Sequence, residues 1–201
     1  VAKKLSLLLC VRQLKKKHER WLGGNGVREP LTRATLIDPL LQALGWDLSD
    51  PTQCIVEDRV PTAQQPDWAD YSLLNPDGTV RMIWEAKRAD QDFSFRDPSH
   101  GVGVWGNAAT KRFVEQTLDY AYRKGADWAV LTNGHQLILL ESFRRGQEHL
   151  RPDQAKITFD CFEDMLRRSD QLWLLNRASV LSGQLDIHFG LEPQPIAVSE
   201  P

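Results

Sequence analysis

The sequence predicts an α/β protein, a central mixed β-sheet flanked by α-helices. Three observations carry that expectation. Apolar residues recur at helical spacing near both ends and once in between, short β-type runs fill the middle, and turn sequences separate the runs. The 41% hydrophobic and 26% charged content of the 201 residues is that of an ordinary globular chain, so one main domain is the default.

Leu5, Leu8, Leu9, Val11 and Leu14 form a rough helical stripe that ends at Gly23-Gly24-Asn25-Gly26. The expectation is a separate basic helical arm over residues 1–26. From Pro30, Leu36, Ile37, Leu40, Leu41 and Leu44 mark a second amphipathic helix that stops at Gly45, with Pro39 set to kink it. Cys54 to Val60 is a candidate strand. Ala69 to Leu74 and Val80 to Lys87 read as a hairpin around Asn75-Pro76-Asp77-Gly78. Residues 89–106 are polar and glycine-rich, a loop. A third helix runs from about Asn107 to Lys124 and ends at Gly125. Strands Trp128 to Leu131 and Leu137 to Ser142 follow, joined through Thr132-Asn133-Gly134. Phe159, Phe162, Met165 and Leu166 suggest a C-terminal helix that closes a body over residues 27–189, and 190–201 read as a poorly ordered tail.

Composition narrows the function. No apolar run approaches the roughly 20 residues a membrane-spanning helix needs. Cys10, Cys54 and Cys161 are odd in number and widely spaced, which points to a reducing cytoplasm, and the five scattered histidines offer no zinc spacing. Residues 1–33 hold nine Lys or Arg against Glu19 and Glu29, a charge of +7 on a chain whose remainder carries −9. A basic segment on an acidic body suits phosphate binding, since neutralised phosphates release counterions; a solvated helix face is the plainer alternative. Lys15, Lys16, Lys17, Arg33 and Arg88 are the candidate DNA contacts.

Side chains alternate across a strand, so Glu85 and Lys87 in Trp84-Glu85-Ala86-Lys87-Arg88 share one face. With a four-residue loop at 75–78, Asp70 falls opposite Ile83 and joins that face. A three-residue loop with a glycine bulge reverses the parity unless a second bulge restores it. Together these residues suit phosphodiester hydrolysis. Asp70 and Glu85 can hold Mg²⁺ (or Mn²⁺), with the Ala86 carbonyl as a third ligand, while Lys87 orients or deprotonates a water and stabilises the transition state. As a bare pattern, an exposed strand carrying Glu and Lys explains these residues as well.

The chain resembles the N-terminal nuclease domain of type I restriction enzyme R subunits and its small stand-alone relatives, in the PD-(D/E)XK nuclease superfamily. Four blocks carry the likeness, over about residues 27–145. They are Glu29-Pro30-Leu31-Thr32-Arg33 leading into Leu36 to Asp47; Ala69-Asp70-Tyr71; Trp84 to Arg88; and Gln116 with Tyr120, followed by Val130 to Gly134. The resemblance implies a restriction-endonuclease-like fold and a metal-dependent DNA endonuclease in restriction-modification or DNA defence. It implies metal ligation by Asp70 and Glu85, a catalytic role for Lys87, an acidic neighbour of the metal in Glu29, and a Gln-X-X-X-Tyr element in Gln116 and Tyr120. Partners would be DNA and either restriction-modification subunits or a larger parent chain. The segment from Ala89 to Thr110 is longer than usual for this branch, and no phosphate-binding loop for ATP-driven translocation is present.

Pro66-Asp67 is a second literal Pro-Asp upstream of Glu85, but Asp67 precedes the expected strand, and Asp70 is preferred. Gly101 to Gly106 formally matches a dinucleotide-binding glycine motif, yet it lacks the hydrophobic strand such a site needs before it. The rival functional reading is a catalytically silent or partner-dependent DNA-binding or assembly module with the same fold.

Overall fold

A computed structural model of the chain describes residues 2–21, 28–61, 67–94, 106–142 and 155–193. The expected fold class holds. Six strands form one mixed sheet in the order β1 (Cys54–Val60), β2 (Asp67–Leu74), β3 (Val80–Ala86), β4 (Trp128–Thr132), β5 (Leu137–Glu141), β6 (Ala155–Phe159). Only β3 and β4 pair in parallel. A parallel pair needs a crossover, and α4 (Ala108–Lys124) supplies it. Asn107 caps that helix through its side chain on the Thr110 N–H, and Gly125, at φ +67°, ends it in the left-handed conformation.

Strand alternation builds two cores. Ile83, Ala129, Leu131, Ile138 and Leu140 pack under Val114, Leu118 and Ala121 of α4. Their neighbours Met82, Trp84, Trp128, Val130 and Leu139 point to the opposite face. That second face is covered by α1 (Ala2–Trp21), by α2 (Glu29–Thr32), a π-turn (Arg33–Ile37) and α3 (Asp38–Ala43), and by short helices α5 (Phe162–Arg167), α6 (Ser169–Trp173), α7 (Arg177–Leu181) and α8 (Gln184–His188).

Three sequence expectations change. The first helix was expected to stand apart as an arm, but it packs on α3 and α5 with Leu7, Val11 and Leu14 fully buried. Its apolar stripe belongs to the core, because a helix with a buried face gains more from packing than from solvent. The kink at Pro39 takes the form of a π-turn just before it. Proline has no N–H to offer the Thr35 carbonyl, and the Asp38 N–H reaches back five residues to Arg33. Phe159 ends β6 instead of starting a helix, and four short helices follow where one was expected. The glycine segment 23–26, the motif at 101–105 and the tail at 194–201 lie outside the described residues.

Candidate functional site

The hairpin turn is the three-residue form: Asn75 N–H bonds to Thr79 O at 2.9 Å, and Gly78 adopts φ +81°. Leu74 therefore pairs with Val80 and not with Thr79. A second irregularity beside Leu73 and Leu74 restores the parity, and the ladder then runs regularly to Tyr71 opposite Trp84, where it ends. One step further lie Asp70 and Glu85. Here the strands part, and the Asp70 carboxylate fills the gap by accepting the Ala86 N–H at 2.7 Å. On the other side of β2, Glu57 opposite Asp70 has φ +54°, the one positive φ at a non-glycine residue among those described, and the pairing of β1 with β2 skips this position. The irregular backbone is confined to the place where Asp70 is presented.

Asp70, Glu85 and Lys87 are all buried, with 8%, 4% and 7% of their surface exposed. Lys87 Nζ lies 2.7 Å from Glu85 Oε1 and 3.2 Å from Gln116 Oε1 on α4, with the Phe113 ring 5.3 Å away. The Gln116 amide donates in turn to the Tyr120 hydroxyl at 2.6 Å, and the Asp67 carboxylate lies close enough to raise the pKa of that hydroxyl, after burial, the larger cause. Asp67 is thus part of β2, contrary to expectation, and it supports the Gln/Tyr pair instead of joining Glu85. Glu29 opens α2, and its charge is felt by both Asp70 and Glu85.

The electrostatics are those of an overcrowded acidic site. Burial, with Asp70 and Glu29 nearby, pushes Glu85 up to about 8 against the pull of Lys87. Burial likewise raises Asp70, against the Ala86 N–H and the Arg33 and Lys87 charges, and it raises Glu29, with Asp70 adding to the shift. Glu85 Oε2 is buried with no hydrogen-bond partner. A buried carboxylate oxygen in that state lacks either a proton donor or a cation.

The cations expected to meet DNA fall into different places. Arg33 was expected to contact DNA, but its side chain is only 13% exposed and bridges Asp70 at 2.9 Å, Glu57 at 3.1 Å and the Tyr71 hydroxyl at 3.3 Å. The π-turn aims it inward, so its charge serves Asp70. Lys15 pairs with Glu163 and Glu19, whereas Lys16 and Lys17 are exposed. Arg88 is exposed and pairs with Asp90.

The support of Lys87 was not visible in the sequence. Its N–H bonds to Thr132 O at 2.8 Å, and the Ala89 N–H bonds to Thr32 Oγ1 at 3.0 Å. Asn133 donates to Gln91 O, Gln136 brackets the Phe93 backbone through both ends of its amide, and His135 meets Asp92 at 3.1 Å. His18 of α1 packs at 4.3 Å, tilted, against His135 and lies near the Ala89 backbone. The turn after β4 thereby grips the segment that leaves Lys87. The Thr-Asn-Gly sequence was the one signal of this, since Gly134 at φ +93° lies so close to Leu36 that a Cβ there would approach it to 2.7 Å.

Among the described residues no three His, Cys, Asp or Glu side chains are grouped as a metal cage. The available donors are two carboxylates and backbone. No helix among these residues is long and apolar enough to cross a membrane. No family model matches the chain, and no curated protein matches it. Among solved structures it is similar to the chain in a cryo-EM structure of a DrdV–DNA complex, with a TM-score of 0.46 and 15% identity, over 85% of this chain and 14% of that one. A likeness of that size is no argument for family or activity.

Proposed function

We propose that the chain is a Mg²⁺- or Mn²⁺-dependent DNA endonuclease of the type I restriction R-subunit kind, with a restriction-endonuclease-like PD-(D/E)XK core. The observation that carries the reading is the meeting of Asp70, Glu85 and Lys87 at the split end of β2 and β3, with one Glu85 oxygen buried and unsatisfied.

The donor set fits a hard divalent cation. Glu85 Oε2 is free, and each Asp70 oxygen keeps a lone pair beyond the bond it already accepts. Asp70, Glu85 and the Ala86 carbonyl would hold the ion. When bound, it supplies Lewis-acid polarisation of the phosphate and a more acidic water. Glu29 adds negative charge beside these ligands. Lys87 orients a water and offsets charge that builds on the phosphate oxygens, and Gln116 with Tyr120 holds the lysine's ammonium in place. The exposed Lys16 and Lys17, on the helix whose His18 meets Ala89, would meet the DNA backbone.

A second reading has its own observation. Both Asp70 oxygens are already engaged, by Arg33 and by Ala86, which suits a silent or partner-dependent DNA-binding module whose acidic site stays internally neutralised. Restriction-modification subunits or a larger parent chain would then complete it. The deciding experiment is cleavage of supercoiled plasmid with Mg²⁺ or Mn²⁺, beside EDTA, Lys87→Ala and Asp70→Ala controls. Metal-dependent cutting abolished by both substitutions establishes the nuclease. DNA binding without cutting establishes the module.

A further inference from the structure

A cavity of about 550 Å³ opens at the far end of the α2–α3 segment from Glu29. Fifteen residues of nearly continuous helix separate the two ends, roughly 20 Å at 1.5 Å per residue. The cavity is therefore distinct from the carboxylate site. Lys3 and Ser6 of α1, Gln42 of α3, Trp173 of α6, and Asn176 and Arg177 at the start of α7 form much of its wall.

Its charge is one-sided. No acidic residue lines it, and neither Lys3 nor Arg177 makes an ion pair with a described residue. Asp50 is close enough to feel Arg177, but its carboxylate is taken by Thr52 and by the Gln53 amide. The Arg177 guanidinium lies 6.0 Å from the Trp46 ring, and its Nε is buried with no acceptor. A buried guanidinium N–H without an acceptor costs desolvation that an anion would recover. The volume lies within the range of small-molecule pockets and far exceeds a bare phosphate, and the indole of Trp173 is part of the lining.

We infer that this cavity is a second binding site, for a phosphate-bearing ligand of about nucleotide size. The phosphate sits between Lys3 and Arg177 and the organic body lies against Trp173. The phosphate can come from a free phosphomonoester or from a nucleic-acid backbone, and the two are separable by experiment. Asp70, Glu85 and Lys87 take no part, so the inference stands or falls apart from the nuclease reading.

The test is thermal unfolding and calorimetric titration of the full chain without divalent metal, using adenosine monophosphate, inorganic phosphate, adenosine and a short DNA duplex as probes. Adenosine monophosphate is expected to raise the melting temperature and to bind more tightly than phosphate or adenosine. Lys3→Gln, an exposed change, and Lys3→Gln with Arg177→Gln are expected to weaken that binding by about tenfold or more, while Glu85→Gln leaves it unchanged. Duplex binding that competes with the monophosphate and is lost in the same variants assigns the phosphate to the nucleic-acid backbone. The proposal is overturned if no phosphate probe binds, if adenosine binds as well as its monophosphate, if binding survives Lys3→Gln, or if it disappears in Glu85→Gln.

Discussion

The strand β3 carries a buried ionic cluster at each end, and the two are built differently. At its start, Arg81 is 3% exposed and reaches Asp127 with one terminal nitrogen and Asp186 with the other, while Trp128 donates to the second Asp186 oxygen at 3.1 Å. At its end, Glu85 and Asp70 share the pull of Lys87 and Arg33, Glu29 crowds them, and Glu85 Oε2 receives nothing. One cluster pairs its acids with donors, leaving the Arg81 Nε without an acceptor, and closes the fold. The other leaves a carboxylate short of charge compensation, as expected where an ion or substrate completes the set.

The largest expected effect belongs to the second cluster. Under the nuclease reading, Lys87→Ala and Glu85→Gln each lower the plasmid cleavage rate by about a hundredfold to a thousandfold, the usual effect of removing one electrostatic stabiliser. Above pH 8, where Glu85 is ionised, Glu85→Gln should leave the melting temperature the same or higher, since it removes a charge the fold compensates poorly. A variant that loses both activity and fold would erase the contrast between the two ends. Arg81→Ala should act the other way, destabilising the chain by about 3–5 kcal/mol in denaturant unfolding, because the buried Asp186 and the partly buried Asp127 lose the guanidinium they share. Loss of less than about 1 kcal/mol would mean that the first cluster closes nothing.

Gly134→Ala is next in size. It places a Cβ at φ +93° and within 2.7 Å of Leu36, and the combined strain and overpacking predict a loss of about 2 kcal/mol or more. Because that turn grips the segment leaving Lys87, cleavage should fall more steeply than folded fraction.

The last effect is a pH dependence. Glu85 titrates near 8 in the folded chain against an ordinary 4.5, so between those values the folded state holds the extra proton. Stability linked to this group is fully present below the ordinary value and is lost as pH rises through the folded one. Melting temperature should therefore fall from pH 5 to 9 with a component that Glu85→Gln removes. Under the metal reading, Mg²⁺ should raise the melting temperature more at pH 8.5 than at pH 6, where protons compete for the same oxygens. An equal rise at both pH values points to an ion held elsewhere.

Local sequence makes much of the fold legible. The helix at 108–124 is bracketed by its own cap and terminal glycine, and β3, β4 and β5 announce themselves as apolar runs between turn residues. The end of the chain was less legible. Phe159 and Phe162 sit three apart in a helical rhythm, but pairing of 155–159 with β5 draws the first into the sheet. The stripe on α1 was visible as well, yet its destination was not. Periodicity reports that a face is apolar and leaves open what covers it.

The candidate site divides in the same way. The sequence by itself determined that Glu85 and Lys87 share a strand face and that Gln116 and Tyr120 share a helix face, since both follow from backbone periods of 2 and 3.6 residues. It left open whether Asp70 joins them, because that parity depends on one residue more or less in the turn. Only the tertiary structure decided it, with two compensating irregularities around Leu74 to Gly78. Tertiary structure also decided that Arg33 turns inward to Asp70, that Asp67 lies near the Tyr120 hydroxyl, and that Thr132 holds the backbone of Lys87. These pairs join residues 37 to 53 positions apart. No local propensity encodes such distances, and the order of strands in the sheet and the packing of its two faces set them.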